Sequence, residues 1–149
     1  MAYKYAFKEY DNESMARACS SNVSISTKKA VETARFVKGK RVSTAIDMLE
    51  KVVNQEMPVP YRKFKGEVPH QRGKGVDTGG YPVNVAKEFL RLIRAAQSNA
   101  SEKEINTSEL YVVSISARKG VARYHNSRHV GRQMKSTNVE VIVGEKSKK

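Results

Sequence analysis

The sequence predicts an α+β fold in which three helices pack on a small antiparallel sheet and a long β-hairpin extends from the domain. Two observations carry this prediction: three segments between residues 26 and 100 have apolar side chains at helical spacing, and after residue 109 the apolar period changes to two. With 149 residues, the chain has the length of one ordinary domain and is long enough to bury a core. We therefore expect a single domain over residues 1–149.

The first two predicted helices each have one apolar face. The first covers residues 26–38, with Ser26 or Thr27 as its N-cap. Ser43 is the expected N-cap of the second, which ends before Pro58. The apolar faces consist of Ala30, Val31, Ala34 and Val37 in the first helix and of Ala45, Ile46, Leu49, Val52 and Val53 in the second. Such faces predict helices that pack on a core.

An irregular insertion at about residues 57–80 separates the second helix from the third. Residues 56–80 show no apolar period and contain three of the four prolines and five of the nine glycines. A loop of this length inside a domain is usually functional, or disordered until a partner binds. The third helix begins near Tyr81–Pro82, because proline suits a first helical turn. Its apolar face consists of Val85, Ala86, Phe89, Leu90, Leu92, Ile93 and Ala96.

Two antiparallel strands and the hairpin between them are predicted over about residues 110–143. Alternation places Tyr111, Val113, Ile115 and Ala117 on one face of the first strand, and Val139, Val141 and Val143 on one face of the second. The basic stretch between them predicts a long ribbon that folds back near residues 123–131. With about 13 residues in each arm, at roughly 3.3 Å per residue, the ribbon would reach ~40 Å. An isolated two-stranded ribbon is marginally stable in water, so we expect a partner that surrounds it.

The charge balance points to a polyanionic partner. The chain carries 28 Lys and Arg against 15 Asp and Glu, a net charge of +13. We expect nucleic acid rather than membrane insertion, because no apolar run approaches the roughly 18 residues of a membrane span. The N-terminus has no apolar segment typical of a secretory signal, so a cytosolic location is expected. Cys19 is the only cysteine and is expected to be a partly buried free thiol.

The surplus charge is concentrated around the first predicted helices and, above all, in the last third of the chain. No acidic residue lies between Glu109 and Glu140. Arg spans two phosphates or stacks on a base, and Tyr and His stack on exposed bases, so these side chains predict contacts to RNA. The candidate RNA-binding residues are Lys28, Lys29, Arg35, Lys38, Lys40, Arg41, Lys63, Lys65, Arg72, Lys74, Arg118, Lys119, Arg123, Arg128, Arg132 and Lys135.

No cofactor, metal or catalytic site is expected. The glycines at 73–75 and 79–80 match neither the dinucleotide-binding pattern nor the P-loop. His125 and His129 have the spacing of a helical metal pair, but they lie in a predicted ribbon without a nearby carboxylate or thiol. No nucleophile and base form a catalytic pattern, which favours a binding protein over an enzyme. Two alternatives stay open: a DNA-binding architectural protein with a helix-turn-helix and a groove-binding arm, and a small nuclease that uses His125 or His129.

Residues 23–53, VSISTKKAVETARFVKGKRVSTAIDMLEKVV, resemble the opening of the large-subunit ribosomal protein family numbered twenty-two in bacteria and seventeen in eukaryotes. Residues 35–40 resemble its R-x-x-x-G-K turn, and Val42, Ala45 and Leu49 its second helix. AAQSNA at 95–100 and NVEVIV at 138–143 are similar to its third-helix end and its return strand. The insertion, with PVPY at its start and GYP at its end, resembles the archaeal and eukaryotic branch.

The resemblance implies a structural protein of the large ribosomal subunit, located in the cytoplasm within the ribosome. The expected partners are large-subunit rRNA, neighbouring ribosomal proteins and the nascent chain. The family's compact part lies near the mouth of the polypeptide exit tunnel, and the tip of its hairpin lines the tunnel wall. The tip residues that this implies are Arg123, Tyr124, His125, Asn126, Ser127, Arg128, His129, Val130 and Gly131, of which Gly131 with Arg132 matches the family's Gly-Arg.

Overall fold

Three helices cover one face of a three-stranded antiparallel sheet. The computed structural model describes residues 3–73 and 75–145. In chain order its elements are β1 (Met15–Val23), α1 (Thr27–Val37), α2 (Val42–Val53), β2 (Val59–Pro60), β3 (Gly79–Gly80), α3 (Val83–Glu102), a 3₁₀ turn (Thr107–Glu109), β4 (Leu110–Lys119) and β5 (Thr137–Glu145). The predicted α+β class, with three helices on a small antiparallel sheet, is confirmed.

The last strand of the chain lies at the centre of the sheet, whose order is β1–β5–β4. Val141 of β5 has Ala18 of β1 opposite it on one side and Ile115 of β4 on the other, and both pairings are antiparallel. Alternate residues of β5, including Val139 and Val143, belong to the core beneath the helices. Having neighbours on both sides, β5 is buried over almost its whole length.

A β-bulge in β4 changes which of its side chains face the core. Strict alternation predicts the odd-numbered residues 111–117 on one face, but the register of β4 with β5 shifts after Val112. Val113 is the extra residue, so the buried positions pass from Leu110 and Val112 to Ile115. The predicted face is therefore wrong for the first half of the strand, because alternation alone does not detect an inserted residue.

The helices supply the core largely with the predicted residues. α1 begins after Ser26, one of its two predicted N-caps, whereas α2 begins at Val42 and includes the predicted cap Ser43 in its first turn. Pro82 is the N-cap of α3 rather than part of its first turn. All seven predicted apolar residues of α3 are buried, as are Ala30, Ala34 and Val37 of α1 and Ala45, Leu49 and Val52 of α2. Ile46 and Val53 are half-buried and pack against the core, and Val31 is half-buried.

The insertion returns to its starting point through a two-residue ladder. β2 and β3 pair antiparallel, with Val59 opposite Gly80 and Pro60 opposite Gly79. The sequence does not predict this pair, because strands of two residues have no period and Pro and Gly are disfavoured in strands. Lys74 lies outside the described residues.

The N-terminal segment lies against the outer face of the sheet, opposite the helices. The Ala6 N–H donates to both carboxylate oxygens of the buried Glu140 on β5, at 3.2 Å. The guanidinium of Arg17 on β1 lies 4.6 Å from the ring centroid of Tyr5 and 4.5 Å from that of Tyr10. These contacts hold the segment on a strand face that the helices leave open.

Candidate nucleic-acid interface

Residues 120–136, here called the arm, extend past the regular ladder of β4 and β5. The ladder ends where Lys119 lies opposite Thr137. Beyond it the two sides are joined by hydrogen bonds from the Met134 N–H to the Arg123 carbonyl at 2.7 Å and from the His125 N–H to the Arg132 carbonyl at 3.0 Å. The predicted fold-back near residues 123–131 is confirmed, but the regular ribbon is shorter than the roughly 13 residues per side expected from the sequence.

Large apolar side chains on the arm are exposed to solvent. Val121 is 74% exposed, Tyr124 56%, Val130 62% and Met134 42%. Within residues 3–73 and 75–145, Tyr81 is the one other large hydrophobic residue with comparable exposure. Isolated exposed apolar residues are ordinary, but a cluster confined to one protruding segment is typical of a surface that a partner covers.

The cations of the arm are exposed on the same segment as these apolar side chains. Arg123, Arg128, Arg132 and Lys135 are all exposed. His125 is half-buried and His129 exposed. Because no carboxylate occurs between residues 110 and 139, the charge of the arm is not balanced by acidic residues within it. This segment is therefore suited to a polyanion that also offers flat apolar surfaces, as RNA does.

A second group of cations lies on α1 and the turn after it. Lys28, Lys29 and Arg35 of α1 and Lys38, which follows its last residue, are exposed. Lys40 is half-buried, and Arg41 donates from Nε to the Tyr111 hydroxyl at 2.8 Å with its guanidinium 5.6 Å from that ring's centroid. Arg41 is therefore held in a fixed orientation against β4.

The buried carboxylate of Glu32 on α1 anchors the insertion. It accepts hydrogen bonds from the backbone N–H groups of Arg62, Lys63 and Phe64 at 3.1, 2.8 and 2.8 Å. Burial raises the pKa of Glu32, but these three hydrogen bonds and the nearby charge of Arg35 together outweigh it and hold the pKa below its usual range. Glu32 was not predicted as a structural residue, because its partners lie some thirty positions away and a glutamate in a helix carries no local signal.

Two clefts bring predicted cations together. One, of about 260 Å³, lies between the starts of α1 and α3 and has Lys29 and Lys135 in its wall. The other, of about 290 Å³, lies between α1 and the insertion and is lined by Arg35, Lys40 and Arg62. Arg62 was not among the predicted residues, although its place beside Lys63 in a basic insertion could have indicated it. Lys63, Lys65 and Arg72 are exposed on the same insertion.

Arg118 forms an ion pair with a buried carboxylate. Its guanidinium lies 3.0 Å from both oxygens of Glu140, which also accepts from the Ser116 hydroxyl at 2.7 Å. The side chain of Arg118 remains half exposed, whereas that of Glu140 is 5% exposed. Arg118 therefore neutralises a buried carboxylate at the root of the arm, and Lys119 beside it is exposed.

No group of three or more His, Cys, Asp or Glu side chains that could hold a metal ion occurs in residues 3–73 and 75–145. Cys19 is a half-buried free thiol, as predicted. Within the same described ranges, the helices are too short or too polar to cross a membrane. Together, the fold and the cationic surface define a basic α+β protein with a protruding arm, a class suited to a polyanionic partner.

Comparison with known proteins identifies the family. Residues 18–144 match the family Ribosomal protein L22p/L17e. The chain is 36% identical over 152 residues to the large ribosomal subunit protein uL22 of Ignicoccus hospitalis, with 96% of each chain aligned. It is 36% identical over 151 residues to that of Methanopyrus kandleri, covering 97% of this chain and 95% of the relative. It is 33% identical over 138 residues to the large ribosomal subunit protein uL22 of Nitrosopumilus maritimus, covering 92% of this chain and 91% of the relative.

The chain therefore belongs to the ribosomal protein L22p/L17e family, in its archaeal type. The resemblance stated from the sequence is confirmed, including the branch that the insertion indicates. Members of this family are structural, non-enzymatic components of the ribosome. This confirms three further predictions: a structural role, no enzymatic activity and a cytoplasmic location within the ribosome.

Proposed function

We propose that this chain acts as a single RNA-binding domain that holds together segments of large-subunit rRNA, with its arm reaching between them. Its relatives are named as proteins of the large ribosomal subunit, which supports that subunit as its place of assembly. In this proposal the tip, residues 123–131, lines the polypeptide exit tunnel and meets the nascent chain. The compact part contacts rRNA phosphates and neighbouring ribosomal proteins.

The observation that carries the proposal is the composition and exposure of the arm. A segment with exposed Arg and Lys, no acidic residue and four exposed large apolar side chains has poor stability of its own in water. RNA supplies both missing partners, because its phosphates neutralise the cations and its bases stack on Tyr124 or on Arg guanidinium groups. The arm is therefore suited to be surrounded by RNA rather than to lie on a flat surface.

The compact part offers a continuation of the same contact. Lys135 at the base of the arm shares a cleft with Lys29 at the start of α1, and Arg35 further along α1 shares another with Arg62 of the insertion. Cations that follow one another from the arm to the insertion suit the repeating phosphates of a backbone. Such contacts position a protein on RNA without selecting its sequence.

Replacing residues 121–135 with Asn-Gly tests the role of the arm. The Gly120 N–H donates to the Ser136 carbonyl at 3.0 Å, so a two-residue turn can close the hairpin between them. We expect the shortened protein to fold and to retain rRNA binding through the compact part, with lower affinity and a shallower salt dependence. Failure of the shortened protein to fold, shown by circular dichroism, would mean that the arm belongs to the core and would contradict the proposal.

The choice of RNA over DNA is tested by binding to a large-subunit rRNA transcript and to duplex DNA in one salt series. Both polyanions are expected to show steep salt dependence, but we expect only the rRNA to bind with high affinity at physiological salt. Equal affinity for both would instead favour the alternative of a DNA-binding architectural protein.

The place of the tip in the tunnel is tested by a photo-crosslinking amino acid at position 128 in ribosomes that carry a stalled nascent chain. Arg128 lies within the exposed turn of the arm, so we expect crosslinks from this position to the nascent chain. The same amino acid at position 87, an exposed lysine of α3, serves as the control. Crosslinks to rRNA alone from position 128 would remove the tunnel from the proposal and leave rRNA binding intact.

A further inference from the structure

The arm leaves the sheet at a point where all three strands meet. Thr137 is paired with Val23 of β1 on one side and with Lys119 of β4 on the other. The register of β1 shifts just before this point, so that Ser21 and Asn22 together lie opposite Asn138. Asn22 has a φ of +55°, a left-handed conformation that asparagine tolerates better than most residues.

This conformation turns Asn22 towards both sides of the arm. Its Oδ1 accepts from the Val121 N–H at 3.2 Å on one side and from the Ser136 hydroxyl at 3.1 Å on the other. Its own N–H donates to Oδ1 of Asn138 at 2.7 Å. One exposed residue of the edge strand therefore joins Val121, near the start of the arm, to Ser136 at its end.

Gly120 allows this close approach. A Cβ atom at position 120 would lie 2.5 Å from Oγ of Ser136, 2.7 Å from Oδ1 of Asn22 and 3.0 Å from Oδ1 of Asn138. Every other residue type would force these polar groups apart. We call Asn22, Gly120, Val121, Ser136 and Asn138 the root clamp.

Thr137 ties the root clamp to the start of α1. The Thr137 side chain is fully buried, and its hydroxyl donates to the Ile25 carbonyl at 2.9 Å. The same hydroxyl lies 2.7 Å from that of Thr27, the first residue of α1. The direction in which the arm leaves the sheet is thus linked to the helix that carries the second group of cations.

From this geometry we propose that Asn22 is a positioning residue: the root clamp sets the direction of the arm before RNA contacts it. An arm that is already aligned loses less conformational freedom when it enters RNA, and preorganisation of this kind raises affinity without adding a contact. The inference rests on the proposed rRNA binding, but the clamp itself is testable in the free protein.

Two variants separate the hydrogen bonds of Asn22 from its backbone conformation. Both Gly and Asp tolerate a positive φ, but only Asp keeps the side-chain oxygen acceptors. In the RNA-free protein we expect Asn22→Gly to speed amide hydrogen exchange about fivefold at Val121, the factor that one neutral hydrogen bond contributes, and about threefold at Met134 further along the arm. Asn22→Asp should stay within about twofold of the unchanged protein at both amides. Unchanged exchange at Met134 in Asn22→Gly would overturn the inference.

Gly120→Ala provides an independent perturbation of the root clamp. It should speed exchange at Met134 as Asn22→Gly does, because the added methyl group displaces the Ser136 and Asn22 side chains. In the double variant the free-energy change derived from exchange at Met134 should be smaller than the sum of the two single-variant changes, since both substitutions act on the same contacts. Fully additive effects would mean that Asn22 and Gly120 act separately, and would overturn the inference that they belong to one root clamp.

Binding to a large-subunit rRNA transcript completes the test. We expect Asn22→Gly to weaken binding about three- to tenfold with an unchanged slope of affinity against salt, because no cation has been removed. An unchanged affinity together with faster exchange at Met134 would overturn the positioning role. If the unaltered protein shows no preference for rRNA, the proposed function fails, whereas the exchange measurements still decide whether the root clamp orders the arm.

Discussion

Replacing Glu32 with Gln is expected to destabilise the fold by about 2–4 kcal/mol. Glu32 is 1% exposed, and its carboxylate accepts the N–H groups of Arg62, Lys63 and Phe64 at 3.1, 2.8 and 2.8 Å. Hydrogen bonds to a charged group contribute about 1.5–3 kcal/mol each, and a buried N–H left without an acceptor costs about 1–3 kcal/mol. Gln has one oxygen and an NH₂ group that cannot accept, so at least one of the three bonds is lost and the others lose their charge.

Thermal unfolding followed by circular dichroism measures this change. In a chain of this size 1 kcal/mol corresponds to about 2–4 °C, so Tm should fall by about 5–15 °C. Glu50→Gln is the matched control, since the surface pair of Glu50 with Arg94 at 2.8 Å should contribute about 1 kcal/mol or less. A Tm of Glu32→Gln within about 2 °C of the unaltered protein would refute the argument that this carboxylate anchors the insertion.

Three further outcomes follow from the same structure. Hydrogen bonding holds the pKa of Glu32 below its usual range, so the stabilisation by its carboxylate is complete above the unfolded pKa of about 4.3 and is lost as pH falls through the folded pKa. In urea unfolding between pH 6 and 3, the free energies of unfolding of Glu32→Gln and of the unaltered protein should therefore converge as pH falls. A difference that stays constant over this range would contradict the prediction. Glu140→Gln should weaken contacts to Ala6 and Arg118, cost about 1–3 kcal/mol and speed proteolysis of the N-terminal segment, so unchanged cleavage would count against it. Lys135→Ala should lower the salt slope of rRNA binding by about one, whereas Lys87→Ala should leave it unchanged; equal slopes for both would exclude a phosphate contact at Lys135.

The elements that the sequence predicts are those whose signal lies within a few neighbouring positions. α3 is an example, because its predicted apolar residues repeat at helical spacing from Val85 to Ala96, over about three turns, and all of them are buried. The arm is another, since a long acid-free stretch between two alternating runs is visible without knowledge of its surroundings. The cationic surface was likewise predictable as a set of residue types, although which of its members contact RNA remains a prediction.

The bulge at Val113 is a feature that local sequence patterns do not predict. A strand with one inserted residue has the same composition as a regular strand, and only pairing with a partner strand reveals the shift. The burial of Glu32 and Glu140 was missed for a related reason. Both carboxylates are satisfied by groups that are distant in the sequence, such as the N–H groups of residues 62–64 and that of Ala6.

By itself, therefore, the sequence determined the α+β class, the positions of the helices, the fold-back of the hairpin and the excess of positive charge along it. These properties follow from periodicity and charge, which local side chains set directly. Only the tertiary structure decided that β5 lies between β1 and β4, that Arg118 neutralises Glu140, and that Asn22 meets both sides of the arm. Each of these joins residues that are separated by twenty to more than one hundred positions, and the free energy of such contacts depends on packing that no short segment contains.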